Sequence, residues 1–521
     1  MSMRHYTRFG AIVSVLALFA GQTIAETVTL QTVDGNISIQ GQIVAFDGET
    51  YELSSSVGTL TLPAGGVVCL GEACPEIIDE GARTAAIGIV DAPSNALLDR
   101  LFKAYADGRT FGLAQESDAG APVLATFREE GDDEPVLELN LSSPSGREAF
   151  EALVAGDTQI VVSSAPIGDA LAEELIAQGH PDLRAPGREV VVALDAAVPV
   201  VHPDNPVRDV SLPVLAQIAA GRITNWSELG GPDEPIRMVL PQPGSSAYQI
   251  VEDQILRPNR LRLDRNMELV ESEAIAESIV SDDPGAVTLV SNALVSNTKP
   301  VPLRQVCGPL SLPSTFTVRA EEYPLSRRVL VYTATQQQSQ RLNDFIAFAG
   351  SGAAQETFTD AGFIGQTIEA VPLSLQGTRL ALALMSANAP EVSESTRALT
   401  ELLMEGDRLS TTFRFEAGAT EIDNKSRRDA VRVAEYLMQP ENLNREILLL
   451  GFTDDVGRND LNELLTLRQA TSIRDAIVEA SLGQIDPSRI DVRSFGSIAP
   501  VGCNETLAGR NSNRRVEVWL R

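Results

Sequence analysis

Two adjacent acidic residues occupy a position in the sequence from which they could bind a ligand. Asp454 and Asp455 follow closely on residues 446–450, an apolar run that is typical of a β-strand. Carboxylates in the turn after a strand can point into a shallow pocket. Other pairs of adjacent acids lie in polar loops, where such side chains are usually solvated. We therefore predict a polar binding site at Asp454, the alternative being that these acids only cap turns.

Histidine is too scarce in this sequence for common catalytic and metal-binding arrangements. The chain contains 3 histidines, and only His180 and His202 lie beyond the first few residues. A Ser–His–Asp triad or a multi-histidine metal site would need more of them. No nucleophile with an adjacent base is recognisable either. We predict that the protein is not an enzyme and that it needs no metal and no cofactor.

The first 25 residues have the three parts of a signal peptide. Arg4 and Arg8 give a positive start, residues 10–20 an apolar run, and residues 23–25 a small-residue cleavage site. The apolar run is roughly ten residues, well below the ~20 that cross a bilayer, and no later stretch is long enough. We predict an exported protein whose mature chain has no transmembrane segment.

The formal net charge of -30 limits the partners of the chain. Nucleic acids and anionic lipid surfaces would be repelled at long range, so we predict no nucleic-acid partner.

Four cysteines in an exported chain favour disulfides over metal ligation. Cys69 and Cys74 flank a glycine-containing turn that can bring them together, which leaves Cys307 and Cys503. Pairing of the latter would tie two domains together, although sequence alone does not fix the connectivity.

The periodicity of apolar residues divides the chain into modules. Residues 27–68 alternate between apolar and polar types, with turns at residues 34–35 and 47–48, and predict a small β-meander. Strand-like and helical runs alternate over residues 83–369, which predicts open α/β lobes with mostly parallel central strands. A helix near residues 393–405 lies in a segment that reads as a partly folded linker. The remaining residues predict the order strand, helix, strand, helix, strand.

The C-terminal motifs resemble the OmpA-like peptidoglycan-binding domain. They include Gly451-Phe452-Thr453-Asp454, Gly457, Asn462, Leu465, Ala470 and the run from Gly509 to Glu517. The resemblance implies that Asp454 binds the amine of the diaminopimelate residue in a peptidoglycan stem peptide, and that Asn462 matches the family asparagine. The family arginine for the carboxylate aligns with Gln469. Arg468 stands one place earlier, and one helical residue corresponds to a rotation of ~100°.

Arg514 is the other candidate for the carboxylate, because a planar bidentate donor suits that group. The predicted peptidoglycan-binding residues are therefore Thr453, Asp454, Asn462, Arg468 and Arg514. The resemblance also implies a location in the periplasm, associated with the cell wall or the outer membrane.

The central motifs resemble the PstS-like phosphate-binding proteins of ABC transporters. They are Asn205-Pro206-Val207, the runs 219–231 and 163–167, and Glu322 to Arg328. The resemblance implies a type II periplasmic-binding-protein fold with a ligand between two lobes. Three ligand positions differ from the family. Gln159 stands in place of the family aspartate, Pro241 in place of its loop arginine and Ala247 in place of its loop threonine. Amides and hydroxyls could still cradle a small anionic or polar ligand. The residues available for this are Ser145, Ser163, Ser164, Gly244, Ser245 and Ser246.

The predicted fold class is multidomain α/β, with a small N-terminal all-β module, a two-lobed periplasmic-binding-protein-like domain and a C-terminal OmpA-like βαβαβ domain. The predicted boundaries are 1–25 for the signal peptide, 26–80 for the β-rich module, 83–370 for the two-lobed domain, 371–409 for the linker and 410–521 for the OmpA-like domain.

We favour a non-enzymatic binding protein anchored to peptidoglycan. It carries a solute-binding module whose ligand the sequence does not identify, with phosphate or another anion as candidates. A structural envelope linker with a degenerate cleft is one alternative. An enzyme acting on cell-wall or phosphate compounds is the other, and the scarcity of histidine argues against it.

Overall fold

The computed structural model describes residues 27–32, 37–46, 50–55, 58–63, 67–71, 73–75, 83–118, 121–334, 339–372, 390–404 and 406–521. The predicted signal peptide and the predicted turns at residues 34–35 and 47–48 lie outside these ranges. Among the helices in these ranges, none combines the length and the apolar character needed to span a membrane. The described ranges contain three large sheets, and each corresponds to one predicted module.

The N-terminal module is an antiparallel sheet in the order β4-β3-β2-β1-β5. Its inward side chains alternate along the strands, as in Tyr51 and Leu53, and form a small core. The predicted disulfide between Cys69 and Cys74 is present, with a Cα–Cα distance of 5.7 Å. The strands are β1 (Val28–Thr32), β2 (Ser38–Phe46), β3 (Thr50–Ser55), β4 (Gly58–Pro63) and β5 (Val67–Leu70).

The first lobe of the central domain has a parallel core of three strands, β10-β6-β9, extended by two antiparallel strands. Its elements are β6 (Thr84–Ile89), α1 (Ala92–Arg109), β7 (Gly112–Asp118), β8 (Ala121–Arg128), β9 (Pro135–Ser142), α2 (Gly146–Ala155), β10 (Ile160–Ser163), α3 (Asp169–Ala177), α8 (Gln340–Ala349) and α9 (Gly352–Asp360).

The second lobe also has a parallel core, in the order β13-β12-β14. Its elements are α4 (Leu212–Ala219), β12 (Arg237–Pro241), α5 (Ser246–Ile250), β13 (Glu268–Val270), α6 (Glu273–Asp282), β14 (Ala286–Ser291), β15 (Lys299–Pro300), β16 (Leu303–Arg304), β17 (Leu310–Ser311) and α7 (Thr315–Arg319).

Two long strands connect the lobes. β11 (Glu189–Val201) pairs antiparallel with β18 (Ser326–Tyr332), and together they place the two parallel cores in one continuous sheet. The core strands of each lobe are therefore parallel, as predicted, and β11 and β18 run antiparallel where they cross between the lobes. β11 is buried over almost its whole length, which explains its near-continuous apolar sequence.

The C-terminal domain is a five-stranded sheet in the order β19-β20-β23-β21-β22, with two long helices packed on it. Compared with the predicted order of strand, helix, strand, helix, strand, the structure adds strand β22 and the short helix α13 before the last strand, and it adds β19 and α10 before the first. The elements are β19 (Ala370–Pro372), α10 (Pro390–Leu403), β20 (Asp407–Arg414), α11 (Asn424–Leu437), β21 (Ile447–Phe452), α12 (Asn459–Ala480), β22 (Ile490–Ser494), α13 (Leu507–Asn513) and β23 (Arg515–Leu520).

Part of the segment predicted as a linker packs against this sheet. On α10, Leu399 and Leu402 are buried against Phe452 and Trp519, on the face of the sheet opposite the other core. β20 begins at Asp407 and pairs with β23. Apolar residues at helical spacing on α10 account for this packing, because they can be buried only against another apolar surface.

The C-terminal domain is docked on the central domain by polar and covalent contacts. The predicted disulfide between Cys307 and Cys503 joins the two domains. Arg328 on β18 donates to Glu321 and to Asp423, each at 2.7 Å. Burial alone would raise the pKa of Glu321, but the positive charges of Arg328 and other cations outweigh it and lower the pKa to about 2.

This ion pair predicts a pH-dependent stability. Because the pKa of Glu321 is lower in the folded state than its ordinary value of 4.5, its ionised form stabilises the fold above about pH 4.5, and this contribution is lost as the pH falls towards 2. Glu321→Gln should lower the free energy of unfolding by about 1–3 kcal/mol at pH 7 and by almost nothing near pH 2. Calorimetry at both pH values measures the difference.

The matched control is Glu151→Gln on the surface of the first lobe, where the partner Arg147 is exposed. It should change stability by less than about 1 kcal/mol at either pH. A Glu321→Gln effect of equal size at both pH values would contradict the ionic origin of the contact.

Candidate functional site

The polar site predicted at Asp454 is formed at the end of β21. Oδ1 of Asp454 accepts the backbone N–H of Val456 at 3.0 Å, which holds the turn. Oδ2 accepts a hydrogen bond from Nη1 of Arg514 at 2.6 Å. The backbone N–H of Thr453 donates to Gly496 at 2.8 Å, which fixes the end of the strand beside the site. The turn therefore presents one carboxylate already paired with one guanidinium.

Arg514 comes from the residue directly before β23 and is held from three sides. Besides its bond to Asp454, Nε donates to the backbone oxygen of Phe415 at 3.3 Å, and Nη2 donates to the side chain of Asn511. The exposed fractions of the Arg514 and Asp454 side chains are 7% and 9%, so the pair is largely shielded from water. A charge pair in such surroundings is weakly screened and has a fixed geometry.

Helix α12 contributes two further polar residues. Asn462 in its first turns donates from Nδ2 to the backbone oxygen of Val456 at 3.1 Å and so supports the Asp454 turn. Gln469, two turns later, donates from Nε2 to the backbone oxygen of Ala419 at 2.7 Å. Its Oε1 is buried and has no hydrogen-bond partner. Neither Gln469 nor Asn462 carries a charge, so the cation of this site is Arg514.

Arg468 is not part of this arrangement. Its side chain is exposed, whereas the next residue, Gln469, is buried. The rotation of ~100° between consecutive helical residues accounts for the difference. Of the predicted residues, the structure thus brings together Thr453, Asp454, Asn462 and Arg514, and it places Arg468 on the outside of α12.

Three of the predicted central residues lie together between the lobes. The hydroxyl oxygens of Ser164, from the first lobe, and Ser246, from the second, are 2.6 Å apart. The backbone N–H of Ser164 donates to Asp91 at 2.9 Å. The neighbouring Ser163 donates instead to the backbone oxygen of Ala165, at 2.7 Å. All three serines are buried.

The other predicted central residues have local roles. Ser145 is exposed and forms a capping box with Glu148 at the start of α2. Ser245 caps α5 by accepting the N–H of Tyr248 at 3.3 Å. Gly244 has φ +100°, a conformation that favours glycine, in the turn before α5. Gln159 bonds to Ala86 and Gly156, next to the start of β10 rather than in the cleft.

The central cleft contains a charged residue that the sequence did not single out. Arg327 on β18 donates from Nε to Asp195 at 2.7 Å, from Nη2 to Glu273 at 3.1 Å and from Nη1 to the hydroxyl of Ser246 at 2.5 Å. Burial raises the pKa of Glu273, and the charge of Arg327 partly offsets this. An arginine doublet inside the apolar run of β18 is the signal that could have identified the cluster.

The structure offers little for a metal ion. In the described ranges, the one grouping of three metal-ligand residues is Cys307, Cys503 and Glu505. The two sulfur atoms form a disulfide and so are not available as thiolate ligands.

The fold and the site define the class of this chain. A two-lobed α/β domain of the periplasmic-binding type carries, at its C-terminal side, a small α/β domain with a paired carboxylate and guanidinium. Residues 116–352 match the family model described as a PBP superfamily domain. Residues 414–514 match the OmpA family. The chain is therefore a fusion of a PstS-like periplasmic-binding domain and a C-terminal OmpA domain.

Individual proteins are similar to parts of this chain. The phosphate-binding protein PstS of Borreliella burgdorferi is 23% identical over 207 residues, which cover 37% of this chain and 69% of that protein. Outer membrane protein Omp38 of Acinetobacter baumannii is 33% identical over 102 residues, 20% of this chain and 28% of Omp38. An ABC-type phosphate transport receptor from Vibrio cholerae has a TM-score of 0.40 and 18% identity, covering 54% of this chain and 99% of that structure.

The charges in the cleft predict that free phosphate binds poorly. In the described part of the chain, Arg327 contacts Asp195 and Glu273, and Asp91 joins the same cluster through Ser164. A buried phosphate needs positive charge, whereas this cluster has more carboxylates than guanidinium groups. Losing a charged partner of a buried ion costs ~3–5 kcal/mol, which turns a micromolar site into one of roughly millimolar affinity. Isothermal titration of the full chain should show no micromolar binding, with a phosphate-binding PstS protein as positive control. Micromolar binding would show that another cation enters the cleft.

Proposed function

We propose that this chain is a non-enzymatic binding protein of the periplasm that attaches to peptidoglycan through its OmpA domain. The observation that carries the proposal is the shielded pair of Asp454 and Arg514, 2.6 Å apart, at the end of β21. The side chain of diaminopimelate ends in a carbon that bears both an ammonium and a carboxylate. A carboxylate and a guanidinium fixed side by side match these two charges.

Binding can proceed by exchange of partners within the pair. The ligand ammonium takes the place of the Arg514 guanidinium at Asp454, and the ligand carboxylate accepts from the freed nitrogens of Arg514. Because each protein charge has a partner before and after binding, no unpaired charge is left in shielded surroundings. Asn462 and Thr453 hold the turn, so the charges need not be ordered when the ligand arrives.

Because Gln469 is neutral, the cation that contacts Asp454 in the described part of the chain is Arg514. The Nε2 of Gln469 donates to Ala419, its Oε1 can only accept, and the amide carries no charge that would attract a carboxylate. A carboxylate therefore finds its charged donor at Arg514. The outer-membrane relatives of the OmpA domain support a location at the cell envelope.

We propose that the central domain serves as a scaffold at the wall rather than as a phosphate receptor. The cluster around Arg327 favours this second role, because a charged side chain of the protein lies at the place where the lobes meet. An enzymatic role is less favoured, since both families matched are families of binding proteins and the buried serines contact carboxylates and an arginine rather than a histidine.

Attachment is tested by sedimentation of the full chain with peptidoglycan that contains diaminopimelate. Asp454→Asn keeps the shape of the side chain but removes the charge that holds the ammonium, so we expect a loss of about ten- to a hundredfold in affinity, which corresponds to ~1.5–3 kcal/mol. Arg514→Gln should weaken binding to a similar degree through the carboxylate.

Arg468→Gln is the matched control, because it removes an arginine from the same domain at an exposed position of α12. It should sediment like the unmodified chain. Thermal unfolding of each variant separates loss of binding from loss of fold. Undiminished sedimentation of a folded Asp454→Asn protein would exclude the proposed site.

A further inference from the structure

A charged side chain of the protein lies at the place where the two lobes meet. Arg327 lies on β18, one of the two strands that connect the lobes, and is 4% exposed. Its guanidinium donates to Glu273 and Ser246 of the second lobe and to Asp195 on the other connecting strand. These bonds occupy Nε, Nη1 and Nη2, so every nitrogen of the guanidinium has an acceptor.

The first lobe joins the same cluster through Ser164. Its hydroxyl oxygen lies 2.6 Å from that of Ser246, which in turn accepts from Arg327. The backbone N–H of Ser164 donates to Asp91, which also caps α1 by accepting the N–H of Ser94 at 3.0 Å. One continuous set of hydrogen bonds therefore runs from Ser164 of the first lobe to Ser246 of the second lobe, and from Ser246 to Arg327 on the connecting strand β18.

The charges of the cluster make the arginine indispensable to its closure. Asp91, Asp195 and Glu273 are all nearly or fully buried, and Arg327 is the cation that contacts the latter two. Carboxylates shielded from water repel one another unless a cation lies among them. Removal of the guanidinium would leave these like charges opposed across the lobes, which favours separation of the lobes and entry of water.

The connecting strands are held from the outside as well. Asn424 in the C-terminal domain donates to Glu189, the first residue of β11, at 3.2 Å. Arg328, next to Arg327 on β18, donates to Asp423 of the same domain. Relative rotation of the lobes requires β11 and β18 to bend, and the docked domain opposes that bending.

We propose that Arg327 acts as a built-in ligand of the guanidinium class, which holds the two lobes closed without any bound solute. The cleft would then hold the two lobes together instead of binding a solute. This inference does not depend on attachment to peptidoglycan, because all its contacts lie within the central domain or at its connecting strands.

The test measures the distance between the lobes in the full chain. Spin labels at Glu173→Cys on α3 and Gln217→Cys on α4 lie at exposed positions of the first and second lobes. Pulsed electron paramagnetic resonance should give one narrow distribution for the otherwise unmodified chain, unchanged by inorganic phosphate or methylguanidinium. Arg327→Ala should lengthen and broaden the distribution, and methylguanidinium at non-denaturing concentration should shift it back.

The matched control is Arg319→Ala. Arg319 is also 4% exposed, but it contacts Gly365 and Glu369 outside the cleft. The distance between the lobes should be the same in this variant with and without methylguanidinium. A folded Arg327→Ala protein with the unmodified distribution would overturn the proposal, and so would an opening that methylguanidinium does not reverse.

A second variant keeps the test decisive if circular dichroism shows that Arg327→Ala does not fold. Ser164→Ala combined with Ser246→Ala removes the direct bond between the lobes and one acceptor of Arg327, and it leaves all charges in place. The distribution should broaden in this protein. An unchanged distribution would show that the lobes stay together without the cluster and would overturn the proposal.

Discussion

A charge removed from water must have an opposite charge or several hydrogen bonds as partners. The modules of this chain contact one another through arginines that have such partners. Arg327 joins the connecting strands to the second lobe, Arg328 joins the central domain to the C-terminal domain, and Arg514 forms the pair at the proposed wall-binding site. The first two are adjacent on β18 and point to opposite sides. Strand β18 thus contributes to both the contacts in the cleft and the contacts between the two domains.

The consequence is that the domains of this chain are fixed to each other. Arg408, a fully buried residue of β20, donates to Glu322 at 2.7 Å, across the same junction that the disulfide of Cys307 and Cys503 closes. The N-terminal module is also attached, since the hydroxyl of Tyr51 accepts a hydrogen bond from Gln340 on α8. A chain attached to the wall at one end would therefore hold the other modules at a defined orientation to it.

The sequence predicted the features that leave a pattern in residues close together in the chain. The Asp454 turn follows a strand directly, and the apolar spacing of α11 and α12 is visible in the residues themselves. It did not predict the role of Arg327, because the partners of this residue come from segments that are remote in the chain. Sequence order cannot show that Asp195 and Glu273 meet. The opposite orientations of Arg468 and Gln469 were foreseeable in principle, since only the helical rotation separates them.

The central claim is that the wall ligand binds at the end of β21 while the cleft stays closed. Hydrogen–deuterium exchange of the full chain, with and without a soluble muropeptide that contains diaminopimelate, tests both parts at once. We expect added protection in residues 453–457 and 511–514, with equally slow exchange of β11 and β18 in both samples. Added protection at Ser164 and Ser246, with none in residues 453–457, would contradict it.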